Sequence, residues 1–314
     1  MDNLIFSLNA TIPVFLLMVL GLVFRRIGWI DEAFASKLNQ FVFRVPLPLL
    51  VFEDLATVDF SQIWNVKFVL FCFVATLLSI LLCAGISMLW KDRAIRGEFI
   101  QASYRSSAAL LGIAFIQNIY GSAGMGPLMI IGSVPLYNMM AVVVLSVFRP
   151  GQQGLDKTVV KRTMTGIVTN PIILGIVAGL LWSALGLPLS GIPGKTIRNI
   201  ASMATPLGLM AMGASFDIQK AVQKGRPAIV ASVMKLVGFC VIFLPVAIAF
   251  GFREEELVAI LVMLGSATTV SCYVMARNMG HEGVLTSSTV MLTTLFSAFT
   301  LTGWLFLLRS AGLI

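Results

Sequence analysis

The sequence predicts an all-α integral membrane protein: ten transmembrane helices arranged as two inverted five-helix repeats, with the fourth and ninth helices broken. Three observations predict it. The 314 residues are 58% hydrophobic and 11% charged, with a mean hydropathy of +0.95, whereas soluble domains carry roughly 25% charged residues. Apolar stretches close to the ~20 residues that cross ~30 Å of hydrocarbon recur ten times, approximately over 4–24, 36–55, 67–90, 99–119, 127–148, 164–186, 196–216, 227–250, 256–278 and 284–308. Finally, the chain repeats itself. Adding 158 to Thr11, Pro13, Gly21 and Gly28 gives Thr169, Pro171, Gly179 and Gly186, and the same offset takes Pro48 to Pro206 and Asp59 to Asp217. After one inserted residue, an offset of 159 takes Gly121 and Gly124 to Gly280 and Gly283.

Proline is only 12 of 314 residues, so its recurrence in register argues against accident. A five-span unit is odd, so the second copy must enter the membrane from the opposite side. Inverted repeats of this kind build a binding site at the repeat interface. The longest connection, Arg149 to Thr163 with Pro150, Gly151 and Gly154, joins the copies and sets repeats of 1–153 and 154–314.

The net charge of +8 is a topology signal. In or beside the loops after the odd-numbered spans lie 14 Lys and Arg, against 5 at the opposite loops and termini. The positive-inside rule then puts the odd loops in the cytoplasm and both termini on the non-cytoplasmic side. Trp29, Trp64, Trp90, Trp182 and Trp304 fall near span ends as interfacial anchors. The N-terminus lacks the basic n-region of a cleavable signal peptide, so the first span is expected to be retained. Nucleic acid is not implied. Cys72, Cys83, Cys240 and Cys272 lie within apolar stretches without metal-ligand spacing and read as buried small hydrophobes, so neither disulfide, metal nor cofactor is expected.

Spans 4 and 9 are the unusual ones. Span 4 reads QASYRSSAALLGIAFIQNIY over 101–120, and span 9 contains LGSATTVSCYVMARNM over 264–279. Both middles are rich in Ser, Thr and Gly, and the repeat offset superposes Ser107 and Ala108 on Ser266 and Ala267. Paired interrupted segments in corresponding halves point to a midplane binding site. The alternative is that these small residues only let helices pack closely.

All fourteen carboxylates fall in loops or near span ends, so no acidic residue is placed to hold a cation deep in the bundle. Three cations, Arg44, Arg105 and Lys235, fall within spans 2, 4 and 8. An intramembrane charge costs several kcal/mol unless paired or wet, and uncompensated cations suggest an anionic ligand. Arg105 precedes Ser106 and Ser107, and its planar fork matches a carboxylate bidentately; the rival reading is snorkelling to the headgroups. Lys235 suits a brace on backbone carbonyls as well as a substrate contact. Arg44, before Pro46 and Pro48, suits a cytoplasmic entrance better than direct binding. Asn138 and Asn118 could donate to a carboxylate, although a bond to a neighbouring helix fits each better. His281, beside Glu282 in a loop, is expected to be solvated.

Leu38 and Asn39 followed by Pro48, then Tyr104 to Gly112, then Pro135, Tyr137 and Asn138, resemble in order the helix motifs of the auxin efflux carrier family. Asn170 and Pro171, ATPLGLMAMGASF over 204–216, VSCYVMA over 270–276 and Met291 to Ser297 continue the match across essentially the whole chain. That family includes bacterial malate and malonate permeases and plant auxin exporters. The resemblance implies a fold related to bile-acid/sodium symporters and NhaA-like sodium/proton transporters. In it, helices 1, 2, 6 and 7 form a scaffold and helices 3–5 and 8–10 a moving transport domain; a homodimer follows by the same analogy. The chain departs from the family where many members carry crossover prolines: Ala114 and Ala267 stand there, leaving the breaks to Gly112, Gly265 and the hydroxyl residues.

The expected function is secondary active or facilitative transport of a small organic anion, a dicarboxylate or aromatic carboxylate, by elevator-type alternating access through the bilayer, with no enzymatic activity. The predicted substrate site is Arg105, Ser106, Ser107, Gly112, Asn138, Lys235, Ser266, Thr268, Thr269 and Ser271. A cation/proton or sodium-coupled exchanger on the same fold, or a transport-inactive membrane sensor, are the alternatives.

Overall fold

The computed structural model describes residues 2–57, 65–108, 112–121, 124–151 and 164–314; Gly154 and Asp156 at the predicted repeat junction, Asp59 and Trp64 lie outside them. Among the described residues every regular element is helical. The helices are α1 (Asp2–Arg26), α2 (Glu32–Arg44), α3 (Pro46–Ala56), α4 (Val66–Ser87), α5 (Arg93–Tyr104), α6 (Ile113–Tyr120), α7 (Gly126–Val147) and α8 (Pro171–Ala184). They continue with α9 (Gly191–Ala201), α10 (Ala204–Ala214), α11 (Ile218–Gln223), α12 (Gly225–Ala249), α13 (Glu254–Gly265), α14 (Ser271–Asn278) and α15 (Val284–Ser310).

Their starts follow from local chemistry. Asp31, Asn65, Asp92 and Asn170 each accept a first-turn amide, from Phe34, Phe68, Ala94 and Ile172 respectively, satisfying donors that a helix start leaves free. Pro171 fits the first turn of α8 because its missing N–H has no partner to lose. Within predicted span 2, Pro46 denies the helix a donor, and the chain kinks at Val45 (φ −125°, ψ −71°) between α2 and α3. Span 7 divides at the equivalent place, because 45 plus 158 is 203 and α10 begins at Ala204.

Four of the helices, Val66–Ser87, Gly126–Val147, Gly225–Ala249 and Val284–Ser310, are long and apolar enough to cross a membrane. Their outward residues, among them Leu70, Leu81, Val241, Phe299 and Phe306, are exposed, the distribution a lipid solvent favours.

Two close helix pairs, α1 with α10 and α3 with α8, are made possible by glycines. A Cβ on Gly21 would strike the Met210 carbonyl, and one on Gly179 would strike the Phe52 carbonyl. The two contacts are equivalent under the repeat offset, since 21 plus 158 is 179 and 52 plus 158 is 210. Small residues let backbones approach where no hydrophobic force drives helices together.

One expectation is overturned. His281 is not solvated but 3% exposed, with Nε2 2.9 Å from the Leu145 carbonyl. Gly280 and Gly283, at φ +89° and +73°, turn the α14–α15 loop back onto α7. Beside it, buried Glu98 accepts from the amides of Gly283 and Thr286 and from the Thr286 hydroxyl, capping α15. Further out, Lys224 Nζ lies 2.6 Å from Glu282 Oε2, and this hydrogen bond holds the Glu282 carboxyl below its usual range.

Candidate functional site

The α5 helix ends at Tyr104 and α13 ends at Gly265. The next residues, Arg105 (φ −75°, ψ 133°) and Ser266 (φ −74°, ψ 164°), are extended. No proline forces either break. Cross-connections hold them open instead: the Ser107 amide donates to the Ala267 carbonyl at 2.9 Å, the Thr268 hydroxyl to Ala102 O at 2.9 Å, and Gln101 Nε2 to Cys272 O at 2.9 Å. The Thr268 amide is taken by the Thr293 hydroxyl at 3.0 Å. Backbone groups freed by the breaks are thus satisfied by the opposite segment and by α15, as backbone at membrane depth requires.

Lys235 completes this arrangement. It sits on a π-helical turn, Met234–Gly238, within α12 and is 0% exposed. Its ammonium donates to the Met263 carbonyl at 3.3 Å, to the Leu264 carbonyl and to the Ser106 hydroxyl, which in turn donates to Met263 O. These are terminal carbonyls of α13, where a helix has unpaired acceptors and a partial negative charge. The side chain therefore acts on the broken helix end.

Beside the crossing lies a cavity of about 120 Å³, room for several waters or a ligand of a few heavy atoms at the ~10–15 Å³ that one water needs. Its walls include Val42 from α2, Leu47, Leu50, Val51 and Asp54 from α3, Tyr137 and Asn138 from α7, and both extended segments. Of the predicted site residues, Arg105, Ser106, Ser107, Asn138, Thr269 and Ser271 line this cavity; Gly112, Lys235, Ser266 and Thr268 are not part of its lining. Arg44 and Asn118 are exposed elsewhere.

Arg105 is 2% exposed. Its Nη2 donates to Asn138 Oδ1 and to Ser271 Oγ, both at 2.7 Å, and its Nη1 meets only the Met275 thioether, a weak acceptor. Its Nε has no partner, and no carboxylate pairs with it among the described residues. The Asn138 amide nitrogen donates to Val134 O at 3.0 Å, so its oxygen is turned to the guanidinium. Asn138 thus positions Arg105 through its oxygen, with one amide hydrogen held by Val134 O. The start of α14 adds the partial positive charge of a helix N-terminus. Such a site can hold an anion. Among the described residues no three His, Cys, Asp or Glu gather to hold a metal.

Sequence reasoning missed Asp54, which was counted among residues near span ends. The signal was available: positions 47, 50, 51 and 54 share one helical face, and all four line the cavity.

Residues 6–305 match the family model described as "Membrane transport protein". The chain belongs to that family, the auxin efflux carriers. Members similar to it include an "Uncharacterized transporter" of Methanothermobacter thermautotrophicus, 22% identical across 95% of this chain and 97% of its own. The "Putative malonate transporter" of Rhizobium meliloti is 25% identical, with 96% of each chain covered. Among solved structures, the sodium proton antiporter MjNhaP1 from Methanocaldococcus jannaschii shares the fold at a TM-score of 0.62, covering 95% of this chain and 97% of that one, at 12% identity. Family members are membrane transporters; the shared antiporter fold carries no inference about the transported species.

Proposed function

We propose that the protein is a secondary active or facilitative transporter of small carboxylate anions, with dianions of malonate size as the first substrates to test. The observation that carries this reading is Arg105, a buried guanidinium on a cavity wall with an unpartnered Nε and, among the described residues, no carboxylate in ion-pair contact with it. A carboxylate entering the cavity would supply a partner for Nε and a stronger acceptor than the thioether for Nη1, and charge-assisted bonds of this kind are the strong ones. Ser107, Thr269 and Ser271 would donate to its remaining oxygens, Ser106 and Lys235 would hold the α13 end in place, and Thr268, Ser266 and Gly112 would shape the breaks. The name of the Rhizobium meliloti relative agrees with this substrate class.

In this reading the chain spans a bacterial cytoplasmic membrane ten times, as inverted repeats of 1–153 and 154–314 with both termini outside. Predicted span 4 is α5 with α6, and span 9 is α13 with α14. The scaffold of spans 1, 2, 6 and 7 carries the α1–α10 and α3–α8 pairs, and the remaining spans move past it as an elevator, in a homodimer. Counterflow tests the function: vesicles containing the purified protein and loaded with unlabelled malonate are expected to accumulate external radiolabelled malonate. Accumulation no faster than in protein-free vesicles, for malonate and for a panel of other small organic acids, would end the proposal.

A further inference from the structure

The cavity holds a second charged side chain that anion binding leaves unused. Asp54, in the last turn of α3, lines the same cavity as Arg105, yet among the described residues its carboxylate forms no ion pair. Its charged surroundings can be named element by element. On α3 itself the neighbour is Glu53. The packed helices α8 and α10 carry no ionisable side chain, and α7 contributes Tyr137 to the cavity wall. From α9 come Lys195 and Arg198, of which Arg198 acts on Glu53; α2 carries Glu32, Lys37 and Arg44. Arg105 lines the same cavity, itself bound to Asn138 and Ser271.

We propose that Asp54 binds a proton when an anion occupies the cavity, so that the site loads anion and proton together. The proposal rests on the anion reading of the Arg105 site. An anion brought into the cavity is a like charge beside a carboxylate, and a nearby like charge disfavours the ionised form. The coupling is reciprocal: neutral Asp54 favours the anion by the same factor. The proton comes from water at the cavity mouth, converts the carboxylate to the acid, and returns to water when the anion leaves. A proton gradient would then drive anion movement.

The test uses the full-length purified protein in weakly buffered detergent solution at mildly alkaline pH, where malonate carries no proton of its own. Malonate is mixed in, proton uptake is read with an indicator dye, and binding is followed in parallel by thermal shift. Wild type is expected to take up about one proton per bound malonate, and its affinity to fall by up to about tenfold per pH unit as pH rises. Asp54→Asn is expected to bind malonate without proton uptake and without that pH slope. Asp54→Glu is expected to keep both, which separates loss of the titrating group from loss of the fold. Malonate binding to wild type without proton uptake would overturn the proposal and leave the anion reading standing, as would equal uptake by Asp54→Asn. Binding of zwitterionic amino acids without proton uptake would overturn it too, assigning Asp54 to their ammonium group. Absence of any malonate-dependent shift in wild type would remove the anion reading as tested, and this proposal with it.

Discussion

Arg105 Nη2 donates to Asn138 Oδ1 at 2.7 Å, joining the end of α5 to α7, while Nη1 meets only a thioether and Nε has no partner. Removing one partner of a buried charge pair costs about 2–5 kcal/mol, which at the lower bound is roughly 30-fold in affinity. Arg105→Ala is therefore expected to raise the malonate concentration for half-maximal uptake by at least about 30-fold, measured in proteoliposomes. Arg105→Lys keeps the charge but loses the fork and should fall between the two.

Lys235 separates bracing from binding. Lys235→Met removes the side-chain donor to the Leu264 carbonyl, while Met263 O keeps the Ser106 and Tyr137 hydroxyls, and a buried unsatisfied group costs about 1–3 kcal/mol. Thermal unfolding in detergent is expected to move to lower temperature, whereas malonate affinity in the folded fraction changes far less than in Arg105→Ala. Loss of affinity equal to that of Arg105→Ala with no change in unfolding temperature would assign Lys235 to the ligand.

These two residues also show what was legible from sequence. Arg105 and Lys235 stood out because an unpaired charge in an apolar stretch has few structural uses, and the small polar runs around Ser107 and Ser266 marked both places where the helices stop. What the sequence could not supply was which face each side chain takes. Lys235 and Ser106 turn to the α13 carbonyls, Asn138 turns its oxygen to Arg105, and His281 is drawn inside because a two-glycine loop folds over it. Each of those outcomes depends on contacts between different helices, from Lys235 with Leu264 and Asn138 with Arg105, about thirty residues apart in the chain, to Lys235 with Ser106 and His281 with Leu145, more than a hundred apart. Asp54 was readable in principle, from the spacing of Leu47, Leu50 and Val51, but its nearness to the span end suggested a loop.

The glycine contacts give a test of packing. Gly179→Val places a branched side chain against the Phe52 carbonyl, and Gly21→Val does the same against Met210. Overpacking of this kind costs typically about 1–3 kcal/mol. Each variant should unfold at a lower temperature, by similar amounts because the contacts are equivalent; a neutral result for both would mean that the helices separate at little cost.

Glu98 ties the start of α15 to α5 through both carboxylate oxygens, Oε1 taking the Gly283 amide at 2.9 Å and Oε2 the Thr286 amide at 3.0 Å and hydroxyl at 2.9 Å. Glutamine has one acceptor oxygen and would direct an amide group at the remaining donors. Glu98→Gln is expected to lose about 1–3 kcal/mol, with faster hydrogen exchange confined to the first turns of α15.

The proposed transport site places a small carboxylate against Arg105 between the two broken helices. Crystals grown with bromomalonate, whose bromine is located by anomalous scattering, test it most directly. A bromine peak is expected inside the cavity walled by Asp54, Tyr137 and Thr269, with a carboxylate oxygen within hydrogen-bond distance of Arg105 Nε or Nη1. A peak only in the apolar pocket lined by Met18, Met212, Phe216 and Met291, or a filled cavity whose ligand makes no contact with Arg105, would contradict it.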